Sequence, residues 1–426
     1  MPHDRTPRLA EDPGIGHPKH HLHPSIFLIL ILPFGMMSGF LTVAVGFMLA
    51  KAGVSVEKIA ALIALSYIPH TWKFAWAPIA DTTLSRKTWY VIGAVVSAAG
   101  IWATALCAHG GNLVMLPAIV IASNVAVTFL GMSVESLMAY DTPEDQKGRA
   151  AGWFQAGNLG GVGLGGGAGL WLARQAGSNV AGAGLGVMCL LCILALFFVA
   201  EPAATHRVGG LARSLVNVFR DIWGVARSRR GMLALILCFL PIGSGAASNL
   251  WSAVSGDWHA SAHTVELVTG ILSGIIAALG CLAGGWICDR MNRKAAYAAY
   301  GLLQALCAVA MVLAPRTEAM YAVFTSLYAF MTGLTYAGFS AFVLEAMGKG
   351  AAATKYNVFA ALSNTPIAYM TTIDGHAHER YGAGGMLYTE AVWCVGGLVA
   401  FGLVAWIIVQ LSRRKPTWFP AVPEHF

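Results

Sequence analysis

The sequence predicts an all-α integral membrane protein, with twelve transmembrane helices in two pseudo-symmetric six-helix bundles. Three observations predict it. The 426 residues are 57% hydrophobic and only 11% charged, where a soluble domain carries about 25% charged residues. The apolar residues gather in continuous runs of about 20, the length that crosses a bilayer as a helix. Polar landmarks recur at an offset of about half the chain. Continuous runs also argue against a β-barrel, whose strands alternate apolar and polar residues.

The elements follow in order. Residues 1–24 form a polar tail, and the run after it is too long for the apolar core of a cleavable signal peptide. The tail histidines His17, His20, His21 and His23 are read as solvated rather than as a metal site. Six spans follow at 25–49, 57–80, 88–108, 113–139, 148–173 and 180–200, within an N-terminal bundle 25–200. An arginine-rich linker, 201–231, leads to a C-terminal bundle 232–411. Its spans are 232–256, 264–288, 294–314, 318–347, 353–375 and 385–411, and a tail 412–426 closes the chain. All eight cysteines lie in apolar segments, so no disulfide framework is expected. Cys189 and Cys192 make a CxxC inside an apolar run and read as core packing.

The basic residues give the orientation. Of 27 lysines and arginines, 21 fall in the tails and loops on the side of the termini. Five (Lys51, Lys58, Arg174, Arg316 and Arg380) fall on the other side. That bias puts both termini in the cytoplasm, which suggests a bacterial inner membrane. It also accounts for the net charge of +7 without a nucleic-acid partner. Lys73 alone lies away from the span ends, in the membrane itself.

The halves repeat. Asp81 after the second span corresponds to Asp289 after the eighth, an offset of 208. Glu135 corresponds to Glu345 at 210, and Asn158 to Asn364 at 206. Three agreeing offsets indicate a duplicated six-helix unit.

This arrangement resembles the major facilitator superfamily, whose turn after helices 2 and 8 has the pattern G-x-x-x-D-x-x-G-[RK]-[RK]. Gly285, Asp289, Arg293 and Lys294 stand close to it, with Asn292 for the usual glycine; the first copy has Ala77, Asp81, Ser85, Arg86 and Lys87. The resemblance implies a cytoplasmic gate latch at Asp81, Arg86, Asp289, Arg290 and Arg293. Ordinary positive-inside anchoring is the plainer reading of the same residues. The stretch Tyr67 to Asp81, YIPHTWKFAWAPIAD, looks like the signature of the AmpG-type permeases, near L-P-Y-x-x-K-F-x-W-A-P-x-x-D. That branch holds muropeptide, siderophore and acetyl-CoA transporters. Thr82 stands where the branch commonly has arginine, and muropeptide permeases often carry two further spans, which favours a smaller solute.

Helical periodicity picks out the side chains facing a cavity. Ser66, His70, Lys73 and Ala77 share one face of helix 2, with Tyr67 beside them; Asn124, Thr128, Gly131 and Glu135 share one face of helix 4. Lys73 lies eight residues before Asp81 and Glu135 six before Asp141, about 12 and 9 Å at 1.5 Å per residue. Matched depth predicts a Lys73–Glu135 ion pair. Lys73 is a substrate or coupling residue on one reading and a structural or snorkelling charge on the other. Glu135 and Glu345 are read either as proton carriers or as merely paired or hydrated acids. Gln155 and Asn158 on helix 5, Asn249 and Trp251 on helix 7, Tyr336 on helix 10, and Asn357 and Asn364 on helix 11 complete the cavity candidates. Pro241, Gly243 and Gly245 weaken helix 7, as a hinge requires. Asp374, Glu379 and Glu390, with His376 and His378, read as an outer gate or equally as a solvated loop.

Glycines mark the expected sliding contact. Gly157, Gly161, Gly165 and Gly169 recur every fourth residue on helix 5, and Gly270, Gly274, Gly280 and Gly284 lie on helix 8. Small residues at this spacing let backbones approach. The facilitator resemblance makes these two helices neighbours across the halves.

The function expected is therefore a secondary transporter working by alternating access, most simply proton-coupled uptake of a polar solute. An exporter, a membrane-embedded enzyme and a receptor-like regulator remain the alternatives. No HExxH, serine elbow or Walker motif is present, so neither hydrolysis nor ATP-driven transport is expected. No cofactor, metal or obligate protein partner is expected beside a small-molecule substrate, protons and the bilayer.

Overall fold

The computed structural model describes residues 23–110, 113–141, 147–200, 229–288, 290–347 and 358–414, with a few isolated positions between 216 and 224. Most of the linker, both tails and Asp289 and Asn357 lie outside the described residues. Every regular element within them is helical. Backbone groups have no water to bond in a bilayer core, and a helix satisfies them internally.

Helix α1 runs Ile26–Lys51, α2 Val56–Thr82, α3 Arg86–Gly110 and α4 Leu116–Asp141. Helix α5 is continuous through Lys147–Gly163, Leu164–Ala168 and Gly169–Ala176, and α6 covers Ser178–Phe198. Helix α7 is broken: Arg229–Leu237 ends, and helical turns resume from Ala246 to Trp258. Then come α8 (Ala262–Cys288), α9 (Arg293–Leu313) and α10 (Glu318–Met347). Helices α11 (364–381) and α12 (383–414) fold back on each other at Gly382, whose φ of 66° suits glycine alone. By length and composition, seven described segments are apolar enough to cross a membrane.

Ser55 starts α2 by accepting the Lys58 amide, and Asn292 starts α9 by accepting those of Lys294 and Ala295. Large apolar side chains face outward along the shaft, among them Trp102, Phe197, Leu282 and Trp406, all more than 45% exposed. Exposed apolar surface on this scale needs a hydrocarbon solvent.

Each helix runs between two ends of the molecule. One end carries the termini with the turns 83–85 and 290–292, here called the terminal end; the other is the far end. The core is divided accordingly. At the far end one cluster joins Phe40, Ile59 and Ile63 to Leu250, Trp258, Tyr321 and Met386. At the terminal end the first six helices keep their own cluster, around Phe27, Tyr90 and Leu137. The last six keep another, around Leu233, Tyr297 and Ile408. Among the described residues, a shared core at one end and separate cores at the other make a V that opens toward the terminal end.

Gly270 and Gly274 meet α5 as expected, but the α5 ladder and the other two α8 glycines touch different helices. A Cβ on Gly157, Gly161 or Gly165 would lie within 2.4 Å of the carbonyl oxygens of Leu28, Leu32 and Met36 on α1. The fourth, Gly169, faces Phe40 and Leu185. The ladder therefore binds α5 to α1, not to α8, because the carbonyls of α1 recur with the same four-residue step. Gly280 and Gly284 likewise meet Phe330 and Leu334 on α10. Contact between α5 and α8 falls instead on Gly167 against Gly270 and on Leu159 against Gly274. Three π-helical turns converge there: Phe40–Val45, Leu164–Ala168 and Val265–Leu272.

The ladder sets a stability prediction. Gly165→Ala drives a methyl into the Met36 backbone and should cost about 1–3 kcal/mol. Gly160→Ala meets nothing within 4 Å and should be neutral or slightly stabilising. Thermal unfolding of the detergent-solubilised protein separates the two.

Candidate functional site

Helix α2 carries the centre of the site. Its two prolines, Pro69 and Pro78, lie inside the helix, and both leave an upstream carbonyl without its usual donor. Between and beside them the polar side chains turn toward α4. His70 Nε2 meets Asn124 Oδ1 at 3.1 Å. The Asn124 amide donates to its own Val120 carbonyl at 2.8 Å, which orients Oδ1 as acceptor and sets the His70 proton on Nε2. The ring of Phe34 stands edge-on to the same imidazole at 5.1 Å. Six residues on, Trp76 Nε1 donates to Thr128 Oγ1 at 3.1 Å.

Lys73 Nζ donates to Glu135 Oε1 at 3.2 Å. Their side chains are 17% and 29% exposed. The pair therefore stands at the mouth of the V, largely but not fully desolvated, where a charge lost from either side would leave the other without a partner.

Tyr67 marks where the V closes. Its hydroxyl donates across to Asn249 Oδ1 of α7 at 3.0 Å, and the Asn249 amide donates to Thr371 of α11 at 2.9 Å. Further toward the far end, Ser252 donates to the Thr42 carbonyl. Glu57 meets His376 at 2.9 Å, and Arg174 donates to Glu266 at 2.7 Å. These contacts join the first six helices to the last six, and all lie on the far-end side of Tyr67.

The remaining candidates divide. Tyr336 is exposed and lines an open cleft with Ser244, Thr335 and Ser363. Gln155 accepts from Asn158 on the same helix at 3.5 Å. Asn364 spends its amide on the Ala360 and Ala361 carbonyls of its own turn. Trp251 is 3% exposed and packs edge-on against Tyr328 at 5.3 Å, so it belongs to the core rather than to a cavity wall. The side chains of Asp81 and Glu345, and the residues Asp289 and Asn357, lie outside what is described. Of the expected gate residues, Arg86 bonds Ser136 of α4. Arg290 stacks on Trp286 at 3.8 Å and donates to its carbonyl. Arg293 opens α9.

Sequence reasoning missed two features. Glu266 is buried, 6% exposed at its side chain, and partners Arg174; both residues sit one turn inside the far end of their helices. Asp374 and Glu390 are not in a solvated loop but buried among α7, α10, α11 and α12, at 0% and 3% exposure. Each lies eight residues from Gly382, and that symmetry about the hairpin turn was the signal that they share a depth. All eight cysteines are free thiols.

No functionally curated protein matches the chain significantly. Among solved structures, the nucleoside transporter NupG superposes with a TM-score of 0.69 at 14% identity, covering 90% of this chain and 98% of that one. The partially occluded, inward-open xylose transporter XylE from E. coli gives 0.66 at 16%, covering 90% and 97%. A D-xylose-proton symporter gives 0.67 at 16%, covering 93% and 98%. These likenesses concern the fold. The family model described as Major Facilitator Superfamily matches residues 27–371. With that match spanning most of the sequence and the fold agreeing with it, the chain belongs to the Major Facilitator Superfamily.

Proposed function

We propose that the protein is a proton-coupled secondary transporter that takes up a polar solute, siderophore-like or muropeptide-like, across a bacterial inner membrane. The observation that carries this reading is the Lys73–Glu135 pair at the mouth of a V sealed beyond Tyr67. A charged pair in a membrane-spanning segment marks a substrate or ion path by default. The terminal end is the cytoplasm, so the state described here opens inward. Bundles 25–200 and 232–411, joined by the linker 201–231, exchange this state for one open outward. The Asp81 and Asp289 turns would then close the cytoplasmic side.

The lining supports a solute with hydrogen-bonding groups. His70, Gln155, Asn158, Tyr336 and the Lys73–Glu135 pair offer donors and acceptors among aromatic walls, the mixture that orients a polar ligand, and the buried Asn124 holds His70 in place. Similar structures include transporters of nucleosides and of xylose, one of them a proton symporter, and the fold accommodates such cargo. The AmpG-like stretch of α2 points within that range to siderophores or muropeptides. Proton coupling is assigned here to the membrane carboxylates, Glu135 and Glu345 among them.

Uptake of a labelled ferric siderophore or muropeptide into liposomes, driven by an imposed pH gradient, tests the reading. Accumulation should collapse with a protonophore; accumulation that ignores it would exclude proton coupling. A deletion strain grown on a siderophore as sole iron source, and separately under β-lactam challenge, separates the two solutes. Lys73→Ala and Glu135→Gln should each lower uptake by about tenfold or more, a change of 1.4 kcal/mol or more. The double variant should lose no more than the worse single one, because the two act as a unit; additive losses would mean independent roles. Finally, a Glu57→Cys/His376→Cys double variant should cross-link on oxidation and stop uptake, and reduction should restore it. Full transport by the cross-linked protein would show that the far-end seal need not open.

A further inference from the structure

The hairpin of α11 and α12 carries two acids that the site above does not use. Asp374 and Glu390 stand eight residues either side of Gly382, about 12 Å from the turn at 1.5 Å per residue. Their carboxyls are within hydrogen-bonding reach of each other. Glu390 Oε1 accepts from Tyr328 of α10 at 2.8 Å and from Ser244 of α7 at 3.2 Å. Glu390 Oε2 has no donor, and neither has either oxygen of Asp374. Gln304 of α9 donates to Thr332 of α10 at 3.3 Å, and its own Oε1 is buried without a partner.

The surroundings supply no compensating charge. From α10 the titratable neighbour is Tyr328; from α12 it is Cys394, whose thiol bonds the Gly301 carbonyl. From α11 it is Tyr369, which donates to the Phe239 carbonyl. Helix α7 presents Ser244, and α9 presents Gln304. At the far ends of the neighbouring helices, Glu57 of α2 is engaged with His376, and Asp257 of α7 with His378. His70 of α2 is held by Asn124. Among the described residues no lysine, arginine or histidine pairs with Asp374 or Glu390. Two ionised carboxylates cannot stand side by side in a dry interior without a cation, because desolvation and mutual repulsion both oppose it.

We propose that Asp374 and Glu390 form a proton-binding site, in which one proton is shared between Asp374 and Glu390 Oε2. Two hydroxyls already donate to Glu390 Oε1, so Glu390 is the anion of the pair and Asp374 the acid that donates to it. The shared proton fills an empty donor position on both side chains.

The site grips the break in α7. Ser244 lies between Gly243 and Gly245, whose φ angles of 60° and 70° only glycine adopts readily. Neighbouring helices satisfy the broken backbone: Tyr297 donates to the Ile242 carbonyl at 2.7 Å and Thr335 to that of Gly243 at 3.2 Å. The Ser244 hydroxyl donates to Glu390 and accepts from the Ala246 amide at 3.3 Å. One turn beyond the break, Asn249 reaches Tyr67 of α2 and Thr371 of α11, and Thr371 is one turn from Asp374. Loss of the proton sets two negative charges against each other beneath the break in α7. The strain is relieved by moving α7 and α11, the helices that hold Tyr67 and the far-end seal. The coupling role rests on the transporter reading above; the binding of the proton does not.

Infrared difference spectroscopy of the purified full chain in lipid, titrated in H2O and D2O, reads the site directly. A protonated-carboxyl band that shifts in D2O should be present at neutral pH and lost at alkaline pH. It should be absent from Asp374→Asn, and Tyr328→Phe should shift it by removing a donor to Glu390. A full-strength band in Asp374→Asn and Glu390→Gln, unmoved in Tyr328→Phe, would overturn the proposal. So would its replacement by added Na+, which would make the site a sodium site. If Asp374→Asn does not fold, the Glu390→Gln and Tyr328→Phe spectra decide alone. In liposomes, Asp374→Asn should reduce pH-gradient-driven uptake to the level of solute exchange. Retained gradient dependence would overturn the coupling role. No uptake of any solute by the wild type, with the band intact, would instead remove the transporter reading.

Discussion

A charge inside a bilayer must be matched, and that constraint organises the polar half of this protein. Hydrocarbon offers no water and little dielectric screening, so each ionisable side chain is paired, hydrated at a mouth, or neutralised by a proton. Lys73 and Glu135 take the first course at the opening of the V. Arg174 and Glu266 do the same at the far end, with the carboxylate buried and the guanidinium half exposed. Asp374 and Glu390, with no base paired to them among the described residues, leave the third. Each solution uses a different pair of helices, so the constraint also fixes which helices must stay together.

Packing divides the molecule where the charges do. The far end holds one core built from both sets of helices, and its aromatic residues, Trp258, Tyr321 and Tyr328, are fully buried. Among the described residues the terminal end holds separate cores, one in the first six helices and two in the last six. Within each set the helices are locked backbone to backbone: α5 rests on α1 through glycines, and α8 on α10. Between the sets, the α5–α8 seam runs through Gly167, Gly270 and three π-helical turns. Rigid pairs flanking a side-chain-poor seam are what two bodies need to pivot without repacking.

Much of this was legible in the residues. Apolar run length located the helices, and the 3.6-residue period put His70 and Lys73 on one face of α2 and Asn124 and Glu135 on one face of α4. Counting residues to the helix ends matched the depth of the ionic partners. The break in α7 was legible from Pro241, Gly243 and Gly245. What was not legible was adjacency. A glycine ladder announces close approach but not the neighbour, and here the neighbour is α1. Trp251 on a polar stretch of α7 turned inward to Tyr328, since a single helix does not say which side faces a cavity. The Asp374–Glu390 pair escaped because a census of lysine and arginine sets topology while passing over acids. Their partnership emerges only when α11 and α12 are folded about Gly382.

The ion pair on α2 and α4 has one more consequence, and it is electrical. An isolated Lys73 carried through a membrane potential of 100 mV would exchange about 2.3 kcal/mol with the field. Lys73 and Glu135 stand 3.2 Å apart on packed helices of the same half, so they travel together and their charges cancel. The field then does almost no net work on them, whichever way the V opens. At this pair the empty carrier is electrically silent, and any current there comes from a charge that arrives with the cargo or separates the two.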